Sequence, residues 1–403
     1  MSSSIKKIII GFAGATILAT AANAGGFSRG TADTDILFED GNFNMRAGVT
    51  IVNPNVKYDT INGAAASDGK YSDSYAIPNA AIKLKLHDNL SCAGTVTQSF
   101  GAGATYGPEA VAAGLLTGHG VKSEGFTSNE LGLTCGANLA VGPGRAWVIG
   151  GLYMQDFDYS QTVTLNARTP FGLSNTDATL AFKDEYRLGY RLGVAYEIPE
   201  IALRAQLLYR SEVHHTPGVD VGSFTTLVRA FPAFGEGTLP QSVELKLQSG
   251  VAPGWLVFGS VKWTDWSVLD TLNYTIVGPA PVFGNVTELE YAWRDGWTVS
   301  AGVGHQFNDN LSGQAALTWD RGVSTTEDNL RDTWGLAGGV ALSNDSKTAT
   351  LSLGGGITYL SGGSVAQQTV AHNIGTIEEG DSFAYTSKGS WAYALGGSFK
   401  IKF

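Results

Sequence analysis

The segment SWAYALGGSFKIKF, residues 390–403, decides the fold. Trp391, Tyr393, Leu395, Gly397, Phe399, Ile401 and Phe403 take every second position, with Ser390, Ala392, Ala394, Gly396, Ser398, Lys400 and Lys402 between them. Side chains of a strand alternate between its two faces, so one face here is apolar and the other small or charged. Aromatic residues sit near both ends of the apolar face, where a bilayer-spanning strand meets the two membrane–water interfaces. A soluble sandwich can also end on a strand, but rarely on a full-length one of this two-faced kind.

The same rhythm runs upstream. Ala80, Ile82, Leu84 and Leu86 alternate with Lys83 and Lys85. Leu131, Leu133, Cys135, Ala137 and Leu139 keep phase, as do Leu188, Tyr190, Leu192, Val194 and Tyr196 opposite Arg191 and Glu197. Val243, Leu245 and Leu247 face away from Glu244, Lys246 and Gln248, and Leu351, Leu353, Ile357 and Tyr359 repeat the pattern. From residue 43 onward, two-faced segments are joined alternately by short turns, such as 87–89, 141–144 and 308–310, and by long connections, such as 59–74, 101–127, 161–180, 215–239 and 361–382. This predicts an all-β chain, a transmembrane antiparallel barrel of about 14 strands over residues 43–403. An even strand number places both termini on the periplasmic side. No composition break divides the chain into domains.

The start of the chain agrees. Lys6 and Lys7 precede an apolar run that ends in Ala22-Asn23-Ala24, the pattern of a secretory signal cleaved after residue 24. Residues 25–42 show no alternation and carry Asp33, Asp35, Glu39 and Asp40, which fits either a periplasmic tail or a short hatch folded into the barrel lumen. Without Lys6 and Lys7 the 26 basic residues become 24 against 36 acidic ones, a net charge of −12 that argues against nucleic acid as a partner. In an exported chain the two cysteines, Cys92 and Cys135, are candidates for a structural disulfide between neighbouring strands, and their spacing does not suit a metal.

Two connections are unusually apolar for water-exposed loops. One holds Leu115, Leu116, Val121 and Phe126; the other holds Phe224, Leu227, Val228, Phe231 and Phe234. Exposed apolar clusters mark binding sites for apolar partners; the same loops can also pack on each other as a lid. Of the charged residues on the lumen face, Arg191, Arg204, Arg210, Lys246 and Lys262 are candidates for holding an anionic head group, against the plainer reading of a solvated, mutually paired lumen. His214 and His215 stand at a strand–loop junction, and no nucleophile elbow, zincin or P-loop motif accompanies them, so the chain reads as a non-enzyme without cofactor or metal.

The runs 209–215 (YRSEVHH), 239–245 (LPQSVEL), 262–267 (KWTDWS) and 293–297 (WRDGW) resemble the FadL family of outer-membrane long-chain fatty acid transporters. The resemblance covers residues 43–403 and is strongest from residue 189. It implies a monomeric barrel with a lumen hatch, in the outer membrane of a Gram-negative bacterium and inserted by the barrel assembly machinery reading the C-terminal Phe403. Its ligand would be a long-chain fatty acid or another hydrophobic molecule, landing between the apolar loops and released sideways into the membrane lipid where the third strand kinks, near residues 90–100. Burying each CH₂ is worth about 0.8 kcal/mol, enough for passive capture of a long chain. The sequence departs from the family at its N-terminus: the 25–42 segment is short, and the nearest match to the family's Asn-Pro-Ala hatch motif is Asn53-Pro54-Asn55 in the first strand. A general porin for small hydrophilic solutes is the alternative.

Overall fold

The computed structural model describes residues 26–169, 172–218, 222–226, 229–269, 271–278, 286–324, 331–366, 368–372, 375–379 and 383–403. The expected signal segment, 1–24, lies outside them. Fourteen strands close an antiparallel barrel: β1 (Phe43–Asn53), β2 (Tyr75–His87), β3 (Leu90–Thr105), β4 (His119–Val141), β5 (Gly144–Thr169), β6 (Gly172–Ile198), β7 (Leu203–Arg210), β8 (Ser242–Ala252), β9 (Trp255–Thr264), β10 (Gly296–Gln306), β11 (Leu311–Asp320), β12 (Thr333–Ser343), β13 (Ala349–Leu360) and β14 (Ser390–Lys402). Each strand pairs with the next. The ring closes between β1 and β14, in register from Asn44 opposite Lys402 to Asn53 opposite Tyr393.

The period of two divides every strand as the sequence requires. On β14, Ala392 and Ala394 point into the barrel and are buried, whereas Trp391, Tyr393, Leu395 and Phe399 are exposed. Leu131, Leu133, Leu188, Leu192, Leu351 and Leu353 extend this outer apolar belt. Outward aromatics form a row at one level, with Trp319 opposite Trp334 and Tyr359 opposite Trp391 in register. This is the girdle of a membrane interface. Short turns close one end of the barrel. After β10, Asn308 Oδ1 accepts from the amides of Asn310 and Leu311, both at 2.9 Å, the local bond that makes Asn a turn former.

The long-loop end differs from the sequence reading. Residues 161–180, read as a loop, continue β5 and β6 as a paired hairpin, with Val163 opposite Ala178 and Leu165 opposite Thr176. The Thr-, Asn- and Ser-rich composition resembles a loop, but its Thr and Val residues are β-formers alternating with apolar positions. About 9–11 residues suffice to cross a membrane, so these strands of 26 and 27 residues rise far beyond it. Strands 222–226, 230–239, 271–276 and 286–290 extend the same wall. The 101–127 connection likewise resolves into the end of β3, helix α1 (Pro108–Thr117) and the start of β4.

Cys92 and Cys135 face each other across β3 and β4 and are joined by a disulfide. The bond closes a loop with a sequence separation of 43. Replacing both residues by alanine should cost about 2–4 kcal/mol of stability, read as a lower denaturant midpoint in detergent; an unchanged midpoint would show that the barrel wall alone fixes this register.

Candidate functional site

The lumen is filled in three tiers. Nearest the short-turn end lies the N-terminal segment. Its 3₁₀ turn Thr34–Phe38 is buried, with Ile36, Leu37 and Phe38 packed on Ala81, Ala93, Trp147, Ile149, Ala195 and Leu208 from the barrel wall. Its acids meet inward-facing bases. Asp33 pairs with Arg46 at 2.5 Å, Glu39 pairs with Arg46 and Lys400, and Asp35 lies 3.3 Å from Lys246 and 3.7 Å from Arg204. Burial pushes the Asp35 carboxyl up, but Lys246 and Arg204 outweigh it and bring the pKa down to about 2. Asp33, buried against the weaker pull of Arg46, is shifted up instead.

The middle tier is a buried polar knot. Glu130 on β4 pairs with Arg191, accepts from Arg210 Nε at 3.1 Å and accepts from Ser99 Oγ at 3.0 Å. A cavity of about 50 Å³ borders this knot, between Arg29, Phe100, Glu130, Arg210, Glu244 and Lys262. Four of the five head-group candidates are thus already in ion pairs: Arg191 and Arg210 with Glu130, Arg204 and Lys246 with Asp35. Lys262 lines the cavity and makes no ion pair with the described residues.

Above the knot is a cage of rings. Phe100, Phe126, Trp266 and Trp293 are buried together, with Phe157, Tyr159 and Tyr291 packed around them. At its centre sits Phe27, with ring centroids 4.5 Å from Trp293, 4.8 Å from Phe126, 6.0 Å from Trp266 and 6.2 Å from Tyr291. The chain enters through Gly26, whose φ is +55° and where a Cβ would lie 2.6 Å from the Trp266 ring, so only glycine fits.

The same segment closes a gap in the wall. Pairing between β2 and β3 stops at Asn79 opposite Thr97, and β3 carries a bulge between Gln98 and Phe100 against β4. Tyr75 to Pro78 pair with β1 but not with β3. Residues 27–30 lie in the breach, where the amides of Arg29 and Gly30 donate to Ser99 and Gln98 at 2.9 and 2.8 Å and the amide of Gly101 donates to Phe27 at 2.9 Å. Gly30 is wedged between Thr97 and Ile77, since a Cβ there would meet their side chains at 2.3 and 2.9 Å. Arg29 spans the seam. Its guanidinium donates to the Gly101 carbonyl at 2.9 Å and to Gln98 Oε1 at 2.7 Å on β3, and lies 3.9 Å from the Tyr75 ring centre on β2.

The loop candidates separate. Val121, Phe224 and Phe231 meet in an apolar cluster with Val163, Leu180 and Phe182 on the inner side of the long hairpin. Phe126 belongs to the deeper cage, and Tyr159 packs against both groups. Leu116, 82% exposed, and the half-buried Leu115 lie on α1, and Phe234 is exposed. Leu227 and Val228 lie outside the described residues. The cage residues Phe27, Phe100, Phe157, Trp266, Tyr291 and Trp293 were not legible as a site, because they come from five distant stretches. The available signal was Phe27, standing behind two glycines and apart from the apolar run Ile36-Leu37-Phe38. His214 is exposed and bonds Thr238. His215 is buried, with Nδ1 3.0 Å from Asp184 Oδ2. Among the described residues no group of three His, Cys, Asp or Glu side chains is arranged to hold a metal.

Residues 9–334 match the family described as outer membrane protein transport protein (OMPP1/FadL/TodX). Similar solved structures include a Pseudomonas aeruginosa FadL homologue, at TM-score 0.70 and 12% identity over 96% of this chain and 99% of that one. The toluene transporter TodX of P. putida superposes at 0.61 and 13% identity, covering 92% of each chain. The toluene transporter TbuX of Ralstonia pickettii gives 0.61 and 13%, covering 95% of this chain and 97% of that one. At these identities the likeness concerns the fold. No curated protein sequence matches the chain.

Proposed function

From a chain that belongs to the OMPP1/FadL/TodX family of outer membrane transport proteins, we propose a passive uptake channel that captures hydrophobic molecules at its long-loop end and releases them sideways between β2 and β3. The observation that carries this reading is that residues 27–30 do two things at once: Phe27 fills the aromatic cage, and the backbone beside it closes the seam. A ligand that takes the cage displaces Phe27 and frees the strand that blocks the wall. Burying a Phe-sized side chain is worth about 1.5–3 kcal/mol, so an incoming ring of similar size repays most of what Phe27 gives up.

In this reading the long loops face outward and both termini face the periplasm. Residues 1–24 are the cleaved signal, 25–42 the hatch, and 43–403 the barrel. The apolar wall of Val121, Phe224 and Phe231 receives the ligand, with Phe126 and Tyr159 leading to the cage. The hatch seals the periplasmic end, so outer-membrane lipid is the exit. The closed barrel works as a monomer and is inserted by the barrel assembly machinery reading Phe403. The ring-lined cage favours compact aromatic molecules. A long-chain fatty acid would place its carboxylate beside Lys262, as the other four head-group candidates are already in ion pairs.

Uptake of radiolabelled toluene and radiolabelled oleate by cells with and without the protein tests this, alongside conductance of the purified barrel. Uptake of either compound that depends on the protein, with little steady conductance, supports the reading, and the preferred compound identifies the ligand class. Large steady conductance with no effect on either would leave the porin.

A further inference from the structure

Buried polar groups are nearly always hydrogen-bonded, and three that are not stand at the cage. The Trp266 ring is fully buried, and its Nε1 finds no hydrogen-bond partner among the described residues. Gln155, also fully buried, leaves both amide atoms without one; on β5 it stands at the lower edge of the cage, opposite Glu130 on β4 and Arg187 on β6, two residues before Phe157. His215 is 1% exposed, its ring centroid is 5.6 Å from that of Phe157, and its Nε2 has no partner. Phe157 in turn lies 5.7 Å from Phe126, against which Phe27 packs.

The chemistry of the three is complementary. Asp184 is held by Arg187 at 2.8 and 2.9 Å and by the Thr216 amide at 3.3 Å. A carboxylate so placed only accepts, so the His215 Nδ1 that faces it carries the proton; burial lowers the ring's pKa and favours the neutral form, in which Nε2 presents a lone pair. Trp266 offers one donor, and Gln155 offers a donor and an acceptor. A bare hydrocarbon would satisfy none of these atoms, and a carboxylate would meet the donors while leaving Nε2 without a partner. A hydroxyl on an aromatic ring donates and accepts at once. Resting on the uptake reading above, we propose that the cage selects aromatic molecules carrying a hydroxyl group, phenols and cresols, with His215 Nε2 accepting from that hydroxyl and Gln155 donating to it.

The test compares p-cresol with p-xylene, near-isosteres that differ by hydroxyl for methyl, by calorimetric titration of the full-length protein in lipid nanodiscs, with partition into empty discs subtracted. The expected preference for p-cresol is about tenfold, the worth of one well-made buried hydrogen bond, and it falls to about one in His215→Phe. Gln155→Leu, which leaves the Asp184 pair intact, should also reduce it; heat-modifiable migration on gels confirms that each variant folds. Equal binding of the two compounds overturns the hydroxyl selectivity and leaves the uptake channel standing. A preference that survives in both variants overturns the assignment to these side chains. Binding of neither compound overturns the aromatic cage as a ligand site, and with it this inference.

Discussion

Deleting residues 26–42 should turn this protein into an open, anion-selective pore. Barrels of eight strands fill their interior with side chains, and those of sixteen to eighteen hold a water channel. With fourteen strands the wall is wide enough to need a separate filling, and the N-terminal segment supplies it. Without that segment Arg46, Lys83, Arg204, Lys246 and Lys400 lose the acids and carbonyls that now hold them, namely Asp33, Asp35, Glu39 and the Gly41 backbone, and only Lys246 keeps an acid on its own strand, Glu244 at 3.7 Å. Five bases around the lumen attract anions, so the reversal potential in a salt gradient should shift to the anion side. Steady conductance in planar bilayers should rise by about tenfold or more over the intact protein. Unchanged conductance would mean that the wall or the long loops close the lumen unaided.

The ion pairs that seat this segment also set its response to acid. The folded pKa of Asp35, about 2, lies below the free carboxyl value of about 3.9. The contribution of its pairs with Lys246 and Arg204 is therefore complete above that value and is lost as the pH falls through about 2. The intact protein should stay closed through mildly acidic conditions, well above the pH at which Asp35 takes up its proton.

The fold was legible because a lipid-facing wall imposes a strict code. Lys400 cannot face lipid and Leu395 gains by it, so the period of two survives in every spanning segment. The code ends where the membrane ends. Beyond it Thr162, Val163 and Thr164 are free to build a strand from polar residues, and the sequence there resembles a loop. The site was less legible for a different reason. Phe27, Phe126, Trp266 and Trp293 share no spacing; barrel closure and the folding back of the N-terminus bring them together. The lumen cations were visible as residues on the inner face, but not their partners, since Glu130 and Asp35 approach them from other strands or from the hatch. The family resemblance pointed only to a kink in the third strand near residues 90–100; the interruption of pairing between β2 and β3 and the segment that fills it were not anticipated.

Replacing Arg29 by alanine should open that gap. Arg29 holds both of its edges, with two charge-assisted hydrogen bonds to β3 and a cation–π contact to Tyr75 on β2. Hydrogen bonds from a charged group are worth about 1.5–3 kcal/mol each, so losing two costs at least about 3 kcal/mol and raises the open fraction about 150-fold or more. Amide exchange reads this directly: Arg29, Gly30 and Gly101, whose N–H groups stitch the segment to β3, should exchange faster by that factor. Tyr75→Leu, which removes only the cation–π contact, should give a smaller acceleration at the same amides. The amide of Leu133, on β4 opposite Gly94, should not change. The Cys92–Cys135 bond pins β3 to β4 below the bulge, so the opening proposed above is expected on the β2 side of β3 rather than on the other. Acceleration at Leu133 equal to that at Gly30 would mean that the whole barrel loosens rather than one seam, and the lateral exit would lose its structural basis. Acceleration confined to the three seam amides, with faster uptake in the same variant, would show that release of residues 27–30 limits transport.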